Sequence, residues 1–222
     1  MIKLIIRSCN RDAIMARACY ETALHFNVAT KENIIFFHED EPLDIIKQTG
    51  ATVVTRNHAD NFGGLGNAKI YFSELGLILP YIEGCEGVIF CDSDIVFTND
   101  FTEVKEKLKL TIHSGVFGDD KIGRKIPHIS GQLNYICVAL IHKLISVTGE
   151  QFDEYANILL HHRYSIADDT LLSVISYLMP GEKMNLKNSG TFEHIKLSEE
   201  ELFNIISNVK DSTFILGIQS SR

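Results

Sequence analysis

The sequence predicts an α/β fold: a mixed, mostly parallel central sheet flanked by helices, built as a single domain over residues 1–222. Three observations lead there. Short apolar or β-branched runs alternate with amphipathic stretches through the first half of the chain, which is the pattern of βαβ units. Apolar residues make up 45% of the 222, enough for a substantial core without disulfides. Turn and breaker residues such as Gly50 and Pro80 fall between the runs rather than inside them.

Taken in order, Leu4 to Ile6 reads as the first strand. Asn10 suits the N-cap of a helix whose face is Ala13, Ala16, Tyr20, Ala23 and Leu24. Ile34 to Phe37 reads as strand two, and Pro42 to Thr49 as a helix that Gly50 can end. Thr52 to Thr55 is a third short strand, leading into the glycine-rich loop RNHADNFGGLGN. A helix follows from Asn67 to Leu79, stopped by Pro80. Gly87 to Phe97 is an apolar run interrupted only by Asp92-Ser93-Asp94. Beyond it, Phe101 to Leu108 reads as helix, Leu110 to Phe117 as strand, Gly118 to Pro127 as a polar loop and Leu133 to Leu140 as a buried strand. Helices are expected near Phe152 to His161, Asp168 to Leu178 and Ser198 to Val209, with a last strand at Thr213 to Gly217.

A formal net charge of -8, with no dense run of basic residues, argues against a nucleic-acid binder. The five cysteines are odd in number and never spaced CxxC, so neither a disulfide framework nor a zinc site is indicated. The N-terminal apolar run is too short for a signal peptide, and no window approaches the roughly 18 apolar residues of a membrane span. A reducing, cytoplasmic location is the expectation, the host cytoplasm if the source is viral.

Two carboxylates one residue apart, where an apolar strand gives out, stand at the sheet's carboxyl edge, where open α/β sheets bind ligands. A hard ion such as Mg²⁺ or Mn²⁺ prefers oxygen donors and commonly combines one or two carboxylates with substrate phosphates. The pattern DxD is common by chance, and a plain strand-end turn would use the same residues. Its apolar flanks, Val88 to Phe90 and Ile95 to Phe97, favour the metal, because carboxylates there are costly without a counter-charge.

The segment GNAKIYFSELGLILPYIEGCEGVIFCDSDIVF resembles the core of the GT-A nucleotide-sugar glycosyltransferases, glycogenin-like enzymes included. In these a basic helix residue, a Leu/Pro stretch and a strand ending in DxD follow in that order. LIIRSCNRDAIMARACYETAL resembles the family's first strand, nucleotide-contacting loop and helix. The resemblance spans residues 3 to 100 and is loose beyond. It implies a Rossmann-like GT-A sheet, with residues 1–100 as the nucleotide-sugar-binding half and 101–222 as the acceptor and catalytic half. It implies a nucleotide-diphosphate sugar donor, a UDP-sugar such as UDP-glucose favoured, a glycan or protein acceptor, and Mn²⁺ or Mg²⁺.

By this resemblance Asp94 is the direct metal ligand, and Asp92 contacts the metal or the ribose beside Ser93. Lys69 stands near the donor phosphates, where a solvated helix lysine would look the same. Arg7, Ser8, Asn10 and Arg11 form the loop around the nucleotide, with Asn10 equally suited to capping. His38-Glu39-Asp40 follows strand two, and Asp40 is the acidic residue set against the base, a place a surface turn would also fill. Gly131 and Gln132 resemble the donor-sugar and acceptor loop, although a simple turn also uses such a glycine.

An inverting transfer needs a base to deprotonate the acceptor hydroxyl. Asp168 and Asp169 resemble the acidic pair that begins a late helix in inverting members, and they also suit the positive end of that helix. The retaining, glycogenin-like branch carries a metal-binding histidine three residues before a glycine. Here that spacing before Gly217 gives Phe214, so an inverting outcome is favoured; for the retaining branch His194 would have to serve from another position, where a lone histidine is more often structural or exposed. The chain is short for this class, which suits a compact viral or bacterial member or one domain of a longer polypeptide. The competing readings are a nucleotidyltransferase, which RSCNRDA disfavours for want of a glycine, and a non-catalytic nucleotide-sugar-binding domain. A P-loop hydrolase is excluded because GxxxxGK[ST] does not occur.

Overall fold

Strand β1 (Ile2–Ser8) sends Leu4 and Ile6 to one side and Ile5 to the other, and all three are buried, so both faces of the strand are covered. The computed structural model describes residues 2–56, 65–97, 111–117, 126–129, 133–161, 168–177, 183–185, 192–197 and 215–220. Helix α1 (Ala13–His25) follows, then β2 (Ile34–Glu39), α2 (Asp44–Lys47), β3 (Thr52–Arg56), α3 (Leu65–Glu74), α4 (Leu79–Ile82) and β4 (Gly87–Asp92). After the acidic turn come β5 (Ile95–Phe97), β6 (Thr111–Phe117), β7 (Ile126–Ile129) and β8 (Leu133–Cys137). The remaining described elements are α5 (Val138–Ser146), α6 (Gly149–His161), α7 (Asp168–Tyr177), β9 (Lys183–Asn185), β10 (Phe192–Leu197) and β11 (Ile215–Ser220).

The main sheet has the order β3-β2-β1-β4-β8. Its first four strands are parallel, and β8 joins antiparallel to β4. Smaller sheets join β10, β11 and β5, and β7, β6 and β9. This is the mixed, mostly parallel sheet with flanking helices that the sequence predicts. The chain winds outward from β1 to β3 and returns to place β4 on the other side of β1. The gap between the carboxyl ends of β1 and β4 is therefore the switch point at which such sheets take ligands.

Two cores sandwich the sheet. On one face Ile5, Phe37, Val88 and Phe90 pack with Phe72, Leu140, Phe152 and Leu171 from α3, α5, α6 and α7. On the other, Leu4, Ile6, Phe36 and Cys91 pack with Ala16 and Tyr20 of α1, and with Ile95 and Phe97 of β5. Each fully buried aromatic or branched side chain contributes about 1.5–3 kcal/mol. Asn27, at φ 53, turns the chain out of α1 with Val28 N–H on Ala23 O at 2.9 Å.

Several local expectations change. Asn10 does not cap α1: it begins a short 3-10 turn, Asn10–Asp12, and its side chain is used elsewhere. Pro80 does not stop a helix but sits in the first turn of α4, where its missing N–H leaves no bond unmade. The buried strand expected over Leu133 to Leu140 ends at Cys137, and α5 starts at Val138. The continuous apolar run hides that boundary, since buried strand and buried helix look alike in it. Strands β7, β9 and β10 carry no apolar pattern that marks them in the sequence. The helices expected at Phe101 to Leu108 and Ser198 to Val209 lie outside the described residues.

Gly87 begins β4 where a Cβ would meet Tyr135 Oη at 2.5 Å and the Ile136 carbonyl oxygen at 2.7 Å. Gly87→Ala should therefore force β8 away from β4 and lower stability by about 1–3 kcal/mol in thermal unfolding. An unchanged melting temperature would show that this edge yields freely.

Candidate functional site

The parallel register sets Arg7 of β1 directly beside Asp92 of β4, the last residue of its strand. Across the switch point Arg7 Nη2 lies 2.6 Å from Asp92 Oδ1, with Arg7 11% exposed and Asp92 35%. Such a pair is less screened than a surface one, which is typically worth under about 1 kcal/mol. The Arg7 guanidinium also lies 5.7 Å from the centre of the Tyr71 ring, and its Nη1 makes a long bond of 3.5 Å to the Tyr71 hydroxyl.

Ser93 and Asp94 make the turn between β4 and β5, and Ser93 is buried. Asp94 Oδ1 is buried with no hydrogen-bond partner. Burial pushes the Asp94 carboxyl up to about 7 and the nearby Asp92 charge adds to the rise, while a hydrogen bond from its own backbone N–H and then Arg7 oppose it. Asp12, just before α1, adds further negative potential at Asp94 and is held by Arg11 through a two-pronged contact of 3.0 and 2.9 Å.

Beside this group runs a hydrogen-bond chain, buried at its Ser8–His38 end and exposed at Asn10. Asn10 Nδ2 donates to Glu41 O at 3.0 Å, which fixes the amide so that its Oδ1 accepts the Leu43 N–H at 3.3 Å. That oxygen also faces His38 Nε2 at 3.0 Å, so Nε2 must donate. His38 Nδ1 is then left to accept the Ser8 hydroxyl at 2.7 Å. Ser8 and Asn10 thus pin the ends of β1 and β2 together and fold residues 41 to 43 onto the first loop.

Burial drives the His38 pKa down, against the pull of Asp40 and Glu39. A histidine depressed on folding contributes stability above its unfolded pKa, near 6.5, and loses it as pH falls below that value. Wild type should therefore lose stability relative to His38→Gln between pH 7 and pH 5 in thermal melts. Parallel curves for the two proteins over that range would contradict the assignment.

Asp40 is exposed at the end of β2 in a left-handed conformation, φ 64, which aspartate tolerates, and its N–H faces Arg56 O at 3.4 Å. Next to it the parallel register pairs Glu39 with Arg56, two residues that nothing in the sequence marks as partners. They form a part-buried ion pair, and the Arg56 guanidinium lies 5.4 Å from the Phe37 ring and 5.6 Å from that of Tyr71.

Arg7, Ser8, Asn10, Asp40, Asp92, Ser93 and Asp94 thus gather along one sheet edge, with Arg11 on its rim. Lys69 pairs instead with Asp153 of α6 at 2.9 Å, with its ammonium 6.0 Å from the Phe152 ring. Asp168 and Asp169 open α7, which packs against α3 and α6. Gly131 and Gln132 lie outside the described residues. Among the described residues no three His, Cys, Asp or Glu side chains converge as a metal cage.

No family model matches this sequence, and no curated protein does. Solved structures do match. Mouse xyloside xylosyltransferase 1 in its apo form is 9% identical with a TM-score of 0.58, covering 98% of this chain and 97% of that one. The galactosyltransferase LgtC, in complex with donor and acceptor sugar analogs, is 11% identical with a TM-score of 0.53, covering 98% and 87%. The apo-form glycosyltransferase GlyE of Streptococcus pneumoniae TIGR4 is 13% identical with a TM-score of 0.51, covering all of this chain and 55% of that one. At these identities the likeness is one of fold, and the fold is GT-A.

Proposed function

We propose that the chain is a metal-dependent glycosyltransferase that moves a hexose from a nucleotide-diphosphate sugar, a UDP-sugar favoured, to a glycan or protein hydroxyl. One observation carries this: a desolvated carboxylate, Asp94, stands beside Asp92 at the switch point with an oxygen that has no hydrogen-bond partner. A buried carboxylate so placed fits a hard divalent cation, which would satisfy that oxygen and relieve the repulsion from Asp92. Two protein carboxylates match the sparse donor set of Mg²⁺ or Mn²⁺, whose remaining ligands are phosphates and water. Asp92 and Asp94 would hold the ion, and its chemistry there is to neutralise the diphosphate leaving group.

Around it, Arg7 supplies a fixed positive charge to a phosphate-bearing ligand. Ser8, Asn10 and Arg11 shape the loop beside the nucleotide, Asn10 by holding residues 41 to 43 in place. Asp40, just past the carboxyl end of β2, is the acidic residue set against the base in this reading. Lys69 would have to leave Asp153 to meet a phosphate. Gly131 and Gln132 complete the sugar pocket in this reading, and residues 101–222 supply the acceptor side. Asp168 or Asp169, at the start of α7, acts as the base of an inverting transfer.

A retaining outcome is the second reading. It is favoured by a register that sets His194 beside Gly217, which itself pairs with Ile95, next to Asp94. Among the described residues no helix is long and apolar enough to cross a membrane.

Release of nucleoside diphosphate from a panel of nucleotide sugars, with Mn²⁺ or Mg²⁺ present, tests the assignment. Turnover should need the ion. Asp168→Asn or Asp169→Asn should lower kcat by about 100-fold with little change in donor KM. If both variants transfer sugar at the wild-type rate, neither aspartate is the base.

A further inference from the structure

Two like charges converge on one ring at this sheet edge. Arg7 and Arg56, from β1 and β3, place their guanidinium carbons 5.7 and 5.6 Å from the Tyr71 centroid. Each carries its own carboxylate, Asp92 for Arg7 and Glu39 for Arg56. Tyr71 is set firmly: Ala68, Phe72 and Leu75 of the same helical stretch are buried in the core, and the ring packs at 6.3 Å on Phe37 and 5.5 Å on Phe72. An arginine side chain has many rotamers, and an ion pair alone leaves it free to swing about the carboxylate. The negative face of an aromatic ring restricts that freedom by attracting the cation held against it.

We propose that Tyr71 is a positioning residue, whose ring and hydroxyl lock the Arg7 guanidinium against Asp92 and so present both groups in one geometry to an anionic, phosphate-bearing ligand. The ligand class rests on the function proposed above. The locking itself does not. Tyr71 acts through Arg7, so losing the ring should weaken ligand capture without slowing a bound ligand's chemistry.

The test uses the full chain, Tyr71→Met, which keeps much of the side-chain volume, and Tyr71→Phe, which keeps the ring. Side-chain ¹⁵N spectra of arginine, with Arg7 assigned through Arg7→Lys, report rotation about Nε–Cζ. Rotation should be slow in wild type and Tyr71→Phe, and fast in Tyr71→Met. UDP binding with Mn²⁺, followed by calorimetry, should weaken about tenfold in Tyr71→Met and recover most of that loss in Tyr71→Phe. Donor KM should rise in parallel while kcat stays within about threefold. A slowly rotating Arg7 in Tyr71→Met would overturn the proposal, as would unchanged UDP affinity in a wild type that binds UDP. Should Tyr71→Met not fold, Tyr71→Leu takes its place with the same readouts: fast Arg7 rotation with weaker UDP affinity supports the locking, and slow rotation overturns it. If wild type binds no nucleoside diphosphate at all, the functional assignment fails, and the Arg7 spectrum alone judges the locking.

Discussion

Replacing Asp94 by asparagine is expected to stabilise the metal-free protein at pH 8 and to cut metal-dependent donor turnover by at least about a hundredfold. The stability gain follows from linkage. The Asp94 carboxyl rises from 3.8 to about 7 on folding, so the folded state holds this proton more tightly than the unfolded chain. A group shifted upward contributes its stability below the unfolded value and loses it as pH rises toward the folded one. Wild type therefore carries the full penalty above about pH 7, roughly 2–4 kcal/mol, the upper end being the whole rise at 1.36 kcal/mol per unit and the lower allowing for solvent screening of a partly exposed carboxyl. Asparagine keeps the shape and never ionises. In a chain of 222 residues the gain should appear as a melting temperature higher by roughly 5–10 °C at pH 8, shrinking to nothing near pH 4. Mn²⁺ should raise the wild-type melting point at pH 8 and leave the variant where it was. A variant no more stable than wild type at pH 8 would mean that the carboxylate is already compensated and has no need of a cation.

The second large effect is expected at Arg7. Arg7→Met keeps an unbranched chain but leaves Asp92 facing Asp94 without the guanidinium 2.6 Å away. Removing one partner of a well-buried pair is destabilising by about 3–5 kcal/mol, and with Asp92 partly exposed about 1–3 kcal/mol is expected here. Nucleoside diphosphate affinity should fall by more than tenfold, since a charge-assisted contact is lost along with its alignment. The double variant Arg7→Met/Asp92→Asn should regain most of the stability and none of the affinity. If the double variant is as unstable as the single one, the ion pair is not the source of the loss.

Much of the sheet was legible because its physics is local. β1 to β4 are short apolar runs closed by turn residues, and their periodicity marks them wherever the chain folds. The acidic triplet was legible for the same reason, as polar residues inside an apolar run that must serve some purpose. What escaped was contact between elements. Tyr71 sits at helical spacing among apolar residues and reads as core, which it is, while its hydroxyl and ring face also serve Arg7. Arg56 ends β3, and only the parallel register to Glu39 shows the two as a pair. Asn10 has the chemistry of a helix cap, and the cap lost to three partners brought in by residues 38 to 43. Lys69 was placed by order along the chain alone, and α6 drew it to Asp153.

The most direct measurement is a thermal-shift screen of nucleotide sugars with and without Mn²⁺, run in parallel on wild type and Asp94→Ala. At least one donor, a UDP-sugar foremost, should raise the wild-type melting temperature only when Mn²⁺ is present, and Asp94→Ala should show no such shift. No stabilisation of wild type by any donor, or an equal response from Asp94→Ala, would contradict a metal-dependent donor site at this triplet.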